Sequence, residues 1–451
     1  MTALPPSGRV ALGGKARRLV RETTGGALVL AAAVPLLFLH IRYQPKVSVG
    51  VGSTSAELTL ADAAIAAVVL AAALRARRDG LAALAPARWI LLATGLLLAL
   101  ALLALATPSL LGEEYPLAVH AVSALKFCWY ALLLPATLVL VRTRDDARVL
   151  FIAVVLWSAV ATAWGALQFL GLVSEFEGRR PGQREPSFVG IHDLSALSGA
   201  ALALGLAGLA LVRERPLARS WTGPALAAGA LGVVLSGAMT GVAGVWLATL
   251  AILGLARARG LLATRGALAA LAIVLAVTAG TAVMRAEAIE RFAEFIGLRD
   301  PQEEVRAESY PQRTMLAYIG LRIWLDHPVA GVGWLASDEE WAYGPHLDDA
   351  RRRFPNLPDE SFPSPEHPWG VQSLYVQALA DLGLIGFAAL LALGAAALTA
   401  GLRAARASPV ALVGLAWMLV AAGVWAGLGL VSGIPLAALT WLALGLVTSR
   451  A

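Results

Sequence analysis

Arginines in two polar segments of the chain have the residue type and spacing of an anion site. Arg180 and Arg184 lie in the segment 174–191, and Arg313 opens a predicted helix at 311–325. A guanidinium group stays charged and offers a fixed fork of donors that matches phosphate oxygens. We therefore predict an anion site suited to a lipid-linked diphosphate. Contacts with lipid headgroups, or ion pairs with the glutamates of segment 174–191, are the alternative interpretations.

His367 is a candidate general base. It lies in a proline-rich stretch, 355–368, shortly before an apolar run that begins near Gln372. The pKa of an imidazole lies near neutrality, so a histidine can take a proton from a hydroxyl group. His346 is a competing candidate in the same polar segment, and an ordinary surface histidine is the alternative interpretation for both.

Lys126 is a cation inside an apolar run, close to the predicted middle of the membrane. A charge at that depth is costly, and it is usually functional or paired. Asp62 lies well inside an earlier apolar run and is the expected partner. The alternative is that Lys126 reaches toward a substrate phosphate.

The elements that must position these residues follow from composition. The chain has 451 residues, of which 58% are hydrophobic and 15% charged, whereas soluble domains carry about 25% charged residues. With a mean hydropathy of +0.72, this composition excludes a soluble protein. The apolar runs are too long and unbroken for transmembrane β-strands. The predicted fold class is an all-α polytopic membrane protein.

Apolar runs predict about twelve transmembrane helices and one large extracytoplasmic loop. The runs are 24–41, 57–74, 87–107, 117–141, 149–173, 192–212, 221–237, 239–256, 262–284, 372–400, 409–427 and 432–448. The predicted organisation is a cytoplasmic tail (1–26), helices one to nine (27–284), the loop (285–371) and helices ten to twelve (372–451). The loop holds 16 of the 30 acidic residues, and we expect it to contain short helices.

Basic residues predict the orientation. With both termini placed in the cytoplasm, the inner segments hold 21 Lys and Arg residues and the short outer loops hold five. Lys and Arg concentrate on the cytoplasmic side of membrane proteins. Arg180 and Arg184 go against this preference, which favours a functional role for them.

Four motifs resemble those of the O-antigen ligase / O-antigen polymerase superfamily of integral membrane glycosyltransferases. They are 184–188 (REPSF) with 192–197 (HDLSAL), 235–238 (LSGA), Arg313 with 326–333 (DHPVAGVG), and 373–386 (SLYVQALADLGLIG). Three departures from the family pattern are visible. The second motif lacks the family's arginine, Asp381 replaces a glutamate, and the family's histidine falls at Gln372, which cannot take a proton.

The resemblance implies a GT-C-like membrane enzyme in the bacterial inner membrane. Such an enzyme moves a glycan from a polyprenyl (undecaprenyl) diphosphate donor onto a glycan, lipid or protein acceptor at the outer face. The transfer is inverting and independent of metal. Arg184 and Arg313 match the arginines that hold the diphosphate, and His367 would substitute for the missing histidine. Twelve helices would also fit a transporter or flippase of lipid-linked oligosaccharides, which is the alternative function.

We expect no metal, cofactor or nucleic-acid partner. The first outer loop, 42–56, contains no acidic residue, so it lacks the paired carboxylates that many metal-dependent lipid-linked glycosyltransferases place there. Glu113 and Glu114 form an acidic pair in the second outer loop, where a solvated turn is the simpler interpretation. The chain has no Walker-type phosphate loop, and direct use of ATP is not supported.

Overall fold

The computed structural model describes residues 23–51, 54–174, 181–298, 310–431 and 433–449. Helices dominate these residues and coincide with the apolar runs. In hydrocarbon, an unpaired backbone amide or carbonyl costs several kcal/mol, so apolar runs fold as helices that satisfy their own hydrogen bonds. The chain is a predominantly helical, multi-pass membrane protein.

Each of the apolar runs contains a helix. Up to residue 284, the helices are α1 (Gly25–Leu37), α2 (Leu60–Asp79), α3 (Arg88–Leu103), the short α4 (Thr107–Leu111), α5 (Leu117–Ala131), α6 (Leu133–Leu140), α7 (Arg144–Phe169), α8 (Ile191–Ala210), α9 (Arg219–Ser236), α10 (Met239–Ala258) and α11 (Thr264–Met284). The later segments contain α12 (Ala286–Phe295), α13 (Tyr310–Asp326), α14 (Glu340–Tyr343), α15 (Leu347–Arg353), α16 (Leu374–Ala404), α17 (Pro409–Trp425) and α18 (Ile434–Leu446).

Seven helical stretches within the described residues are long and apolar enough to cross a membrane. They are Ala82–Leu111, Leu117–Leu140, Arg144–Phe169, Ile191–Ala210, Met239–Ala258, Thr264–Met284 and Leu374–Ala404. The shorter helices α1, α17 and α18 are apolar but below that length. Twelve spans and the orientation of the termini therefore stay predictions.

A two-stranded hairpin is an element that the sequence analysis did not predict. Strands β1 (Lys46–Val51) and β2 (Thr54–Thr59) pair antiparallel, with Lys46 opposite Thr59. The Lys46 ammonium lies 2.7 Å from the Glu57 carboxylate on the facing strand. The alternating Val and Ser residues of β1 were the available signal. The predicted run 57–74 therefore begins as strand and becomes helix only at residue 60.

Helix α8 forms the centre of the bundle, where nearly all of its side chains are buried. Small residues permit this close packing. A Cβ atom at Gly229 of α9, for example, would lie only 2.4 Å from the backbone nitrogen of Leu202 in α8. Small residues allow helices in membranes to approach closely. The first turn of α8, with His192 and Asp193, is thereby held in a fixed position.

The polar segment before α16 has a small hydrophobic core of its own. Helix α13, which the sequence predicted at 311–325, contributes Met315, Leu316, Ile319 and Ile323 to it. Residues after α13 complete the cluster, among them Tyr343 and Phe354. This core fixes one face of α13, and Arg313 lies in the first turn of the same helix.

Candidate active site

Three arginines from distant parts of the sequence line one cleft. Arg184, Arg285 and Arg313 meet there with His192 and Tyr310, beside the turn 237–240 that joins α9 to α10. None of the described residues that line the cleft is acidic. The structure therefore brings together Arg184 and Arg313, two of the three arginines that the sequence singled out, and adds Arg285. The cleft has the electrostatic character of an anion site.

Arg184 is positioned by the segment that runs along the end of α9. The Glu185 amide donates to the Leu235 carbonyl at 2.8 Å, and the Ser187 hydroxyl donates to the Ala161 carbonyl at 2.7 Å. Gly237 follows with φ +58°, and a Cβ atom there would lie 3.0 Å from the Cβ of Arg184. A glycine at this turn thus allows Arg184 to approach the backbone closely.

Arg313 is held from two sides. One guanidinium nitrogen donates to the Gly427 carbonyl at 3.3 Å, and another lies 3.5 Å from Nε2 of His192. The neighbouring Gln312 side chain donates to the Ser361 carbonyl at 3.0 Å, which anchors the first turn of α13. These contacts orient the guanidinium in the cleft before any ligand arrives.

Arg285 and His192 are cleft residues that sequence reasoning missed. Arg285 follows the last residue of α11, and its guanidinium carbon lies 5.1 Å above the centre of the Tyr310 ring. In the sequence, Arg285 is distinguished only as the first residue of the predicted loop 285–371. His192 was quoted within a family motif, but no role was assigned to it.

Asp381, which belongs to the motif 373–386, forms hydrogen bonds with the motif 326–333 and the residues just after it. Its carboxylate accepts hydrogen bonds from the amides of Leu335 at 3.2 Å and Ser337 at 3.0 Å. Its carbonyl accepts from the Gly333 amide at 2.9 Å. A Cβ atom at Gly331, where φ is +68°, would lie 2.4 Å from the carbonyl carbon of Asp381. The turn after α13 is thus clamped onto α16, which makes Asp381 a structural residue.

Gln372 and His367 both belong to the part of the chain that the structure describes, and neither lines the arginine cleft. His367 is exposed and stacks on Trp369, with ring centres 6.4 Å apart. Val371, the residue before Gln372, packs against the segment that follows α17, because a Cβ atom at Gly429 would be 3.1 Å from the Val371 carbonyl oxygen. Gly429 is two residues from the Arg313 partner Gly427. The assignment of a catalytic base stays a prediction.

Lys126 lines a different cavity, of about 330 Å³, together with Glu57 and Tyr130. Its ammonium lies 3.6 Å from the Asp62 carboxylate and donates to the Glu57 carbonyl. The predicted pairing of Lys126 with Asp62 is therefore confirmed. The structure does not bring Lys126 to the arginine cleft, and its predicted contact with a phosphate remains untested. Arg180 lies outside the described residues.

Asp338 gives the segment before Gln372 a pH-dependent contact. Its carboxylate accepts a hydrogen bond from the Val371 amide, and burial raises its pKa from an ordinary 3.8 to about 6. Because the folded-state pKa is raised, the charged carboxylate disfavours folding above about pH 6, and this penalty fades as the pH falls toward 4.

We expect Asp338→Asn to raise the free energy of unfolding at pH 7.5 by about 1–3 kcal/mol, since the amide oxygen still accepts the Val371 bond without a buried charge. Wild type should gain thermal stability from pH 7.5 to pH 5, in part because Asp338 takes up a proton. The variant should lack this contribution of Asp338. Thermal unfolding across this pH range measures both effects. An unchanged midpoint at pH 7.5, with the same pH dependence as wild type, would refute the buried-charge explanation.

Residues 224–391 match a family model described as O-Antigen ligase. The matched range covers the turn 237–240, Arg285, Arg313 and Asp381, but not Arg184 or His192. No curated protein matches the chain significantly. Among the described residues, no group of three or more His, Cys, Asp or Glu side chains is placed to hold a metal ion.

Proposed function

Since residues 224–391 place the chain in the O-antigen ligase/polymerase superfamily, we propose that it transfers a glycan from a polyprenyl diphosphate donor to an acceptor hydroxyl. The observation that carries this proposal is the cleft in which Arg184, Arg285 and Arg313 meet, with no acidic residue among the described residues that line it. The reaction takes place at the outer face of the bacterial inner membrane, with both termini in the cytoplasm. The product is a cell-surface polysaccharide that the transferred glycan has extended, or that has been attached to its acceptor.

The proposed mechanism is electrostatic. The acceptor oxygen attacks the anomeric carbon from the face opposite the diphosphate, so the configuration inverts. The bond from that carbon to the phosphate oxygen breaks as the glycosidic bond forms, and negative charge grows on the departing diphosphate. Preorganised guanidinium groups stabilise this charge in a cleft of low dielectric constant. The arginines supply the positive charge that a metal would otherwise provide, which supports metal-independent transfer.

The acceptor hydroxyl loses its proton during transfer. His367 and Gln372 remain our proposals for the acceptor side, of which only His367 can take that proton. His192 lies within hydrogen-bond distance of Arg313, and we assign it to positioning that guanidinium. Alanine variants separate the roles through the pH dependence of the rate at saturating donor. Loss of the base removes the ionisation on which this rate depends, whereas loss of a positioning residue lowers the rate but keeps that ionisation.

The cleft must open when the donor binds. Its free volume is about 20 Å³, which is close to the space for one water molecule. We therefore propose that the cleft widens to admit the diphosphate while Arg313 keeps the orientation that Gly427 and His192 give it.

A transfer assay with purified protein tests the proposal. In lipid nanodiscs with a polyprenyl diphosphate-linked oligosaccharide and a hydroxyl acceptor, we expect a longer or newly attached glycan, at a rate that a metal chelator does not change. Donor moved across a bilayer without any new glycosidic bond would instead support a flippase.

In cells, deletion of the gene distinguishes a polymerase from a ligase. Shortened chains indicate a polymerase, and full-length polymer that stays unattached indicates a ligase.

A further inference from the structure

A large groove lies at the opposite end of α16 from Gln372. It has a volume of about 770 Å³ and is formed by the first turn of α3, the last turns of α16 and the residues just after α18. Alanine is its commonest lining residue, and the five alanines lie between Ala395 and Ala407. A volume of this size is typical of sites for small organic ligands. The groove shares no lining residue with the arginine cleft.

One end of the groove is basic. The exposed Arg403 lines it, and the guanidinium carbon of Arg88 lies 5.2 Å above the ring of Trp89, another lining residue. Trp89 is 64% exposed, as is typical of tryptophans at the level of lipid headgroups. No acidic side chain occurs among the described residues that line the groove. The arrangement complements an anion attached to an apolar body.

Thr448 provides a second observation that points to a ligand. Its side chain lines the groove and the residue is only 6% exposed. Its hydroxyl has no hydrogen-bond partner among the described residues. A buried hydroxyl without a partner is destabilising, so a ligand oxygen that bonds to it would be favoured.

We propose that this groove binds one anionic phospholipid. The phosphate contacts the guanidinium groups of Arg403 and Arg88, an ester or headgroup oxygen bonds the Thr448 hydroxyl, and one acyl chain lies along the alanine wall. Basic pockets between transmembrane helices at the cytoplasmic side bind anionic headgroups. Arg88 and Arg403 lie at the end of the bundle that the basic residues predict to be cytoplasmic. The site is independent of the proposed transfer reaction.

Native mass spectrometry and thermal unfolding of the full-length protein test this site. With phosphatidylglycerol we expect one saturable bound lipid and a raised unfolding midpoint, and with phosphatidylcholine neither. Arg403→Gln should weaken binding by about fivefold or more. Arg406→Gln is the matched control, because Arg406 is exposed nearby but does not line the groove. It should change binding by less than about twofold.

One further variant and one ligand control test the lipid site. Ala400→Phe should fill the groove and displace the lipid while the protein elutes as wild type in size-exclusion chromatography. Inorganic phosphate alone should not raise the unfolding midpoint. Equal binding of both lipids, equal effects of the two arginine variants, or full stabilisation by inorganic phosphate would each overturn the lipid site.

Discussion

Replacing Arg313 by alanine is expected to lower the rate of glycan transfer by about 10²–10³-fold while the protein stays folded. Arg313 is oriented in the cleft by the Gly427 carbonyl and lies 3.5 Å from His192. Its loss would leave the departing diphosphate without one of its oriented donors. Arg184→Ala is expected to have an effect of the same order. Transfer rates at saturating donor, measured with purified variants, check both.

Two variants of α13 sharpen this test. Arg313→Lys keeps the positive charge but loses the planar fork of donors, so its activity should lie between alanine and wild type. Arg322→Ala is the matched control, because Arg322 is exposed on the same helix and does not line the cleft. If Arg313→Ala were as active as Arg322→Ala, Arg313 would have no part in the reaction.

Asp381→Ala should have the largest effect on stability, with the free energy of unfolding reduced by about 2–5 kcal/mol. The substitution removes the acceptor for the partly buried amide of Leu335 and the buried amide of Ser337. A buried amide without a partner costs about 1–3 kcal/mol. The turn after α13 would then be held to α16 by backbone hydrogen bonds alone, such as that from the Gly333 amide to the carbonyl of residue 381. The midpoint of thermal unfolding in detergent measures the loss.

A second variant keeps this prediction testable if Asp381→Ala does not accumulate. Asp381→Asn retains one side-chain oxygen as an acceptor, and we expect a smaller loss of stability than for alanine. The expected order of unfolding midpoints is wild type, asparagine, alanine. An alanine variant as stable as wild type would show that the Asp381 carboxylate does not hold this turn.

Hydropathy predicted the helices well because it reflects a local requirement. An apolar run in lipid must satisfy its own backbone hydrogen bonds, and the helices found at each run follow from that. The chemical character of guanidinium groups likewise singled out Arg184 and Arg313, which the structure places in one cleft, and their role in binding a diphosphate stays a prediction. The pairing of Lys126 with Asp62 followed from the cost of an isolated charge in hydrocarbon.

Features that depend on tertiary packing could not be predicted in this way. Arg285 reaches the cleft because α11 ends beside Tyr310, and no local pattern encodes that arrangement. His192 lies near Arg313 although 121 residues separate them. The role of Asp381 depends on a turn 44 to 46 residues earlier in the chain. The hairpin of β1 and β2 was obscured by the apolar run that overlaps it.

The most direct test of the central claim is binding of a polyprenyl diphosphate to the purified protein in nanodiscs. Affinities for this lipid and for the matching polyprenyl alcohol are compared in wild type and in the Arg184→Ala/Arg313→Ala double variant. We predict saturable binding of the diphosphate, much weaker binding of the alcohol, and loss of that difference in the double variant. Equal affinity of wild type and double variant for the diphosphate would contradict the assignment of the arginine cleft.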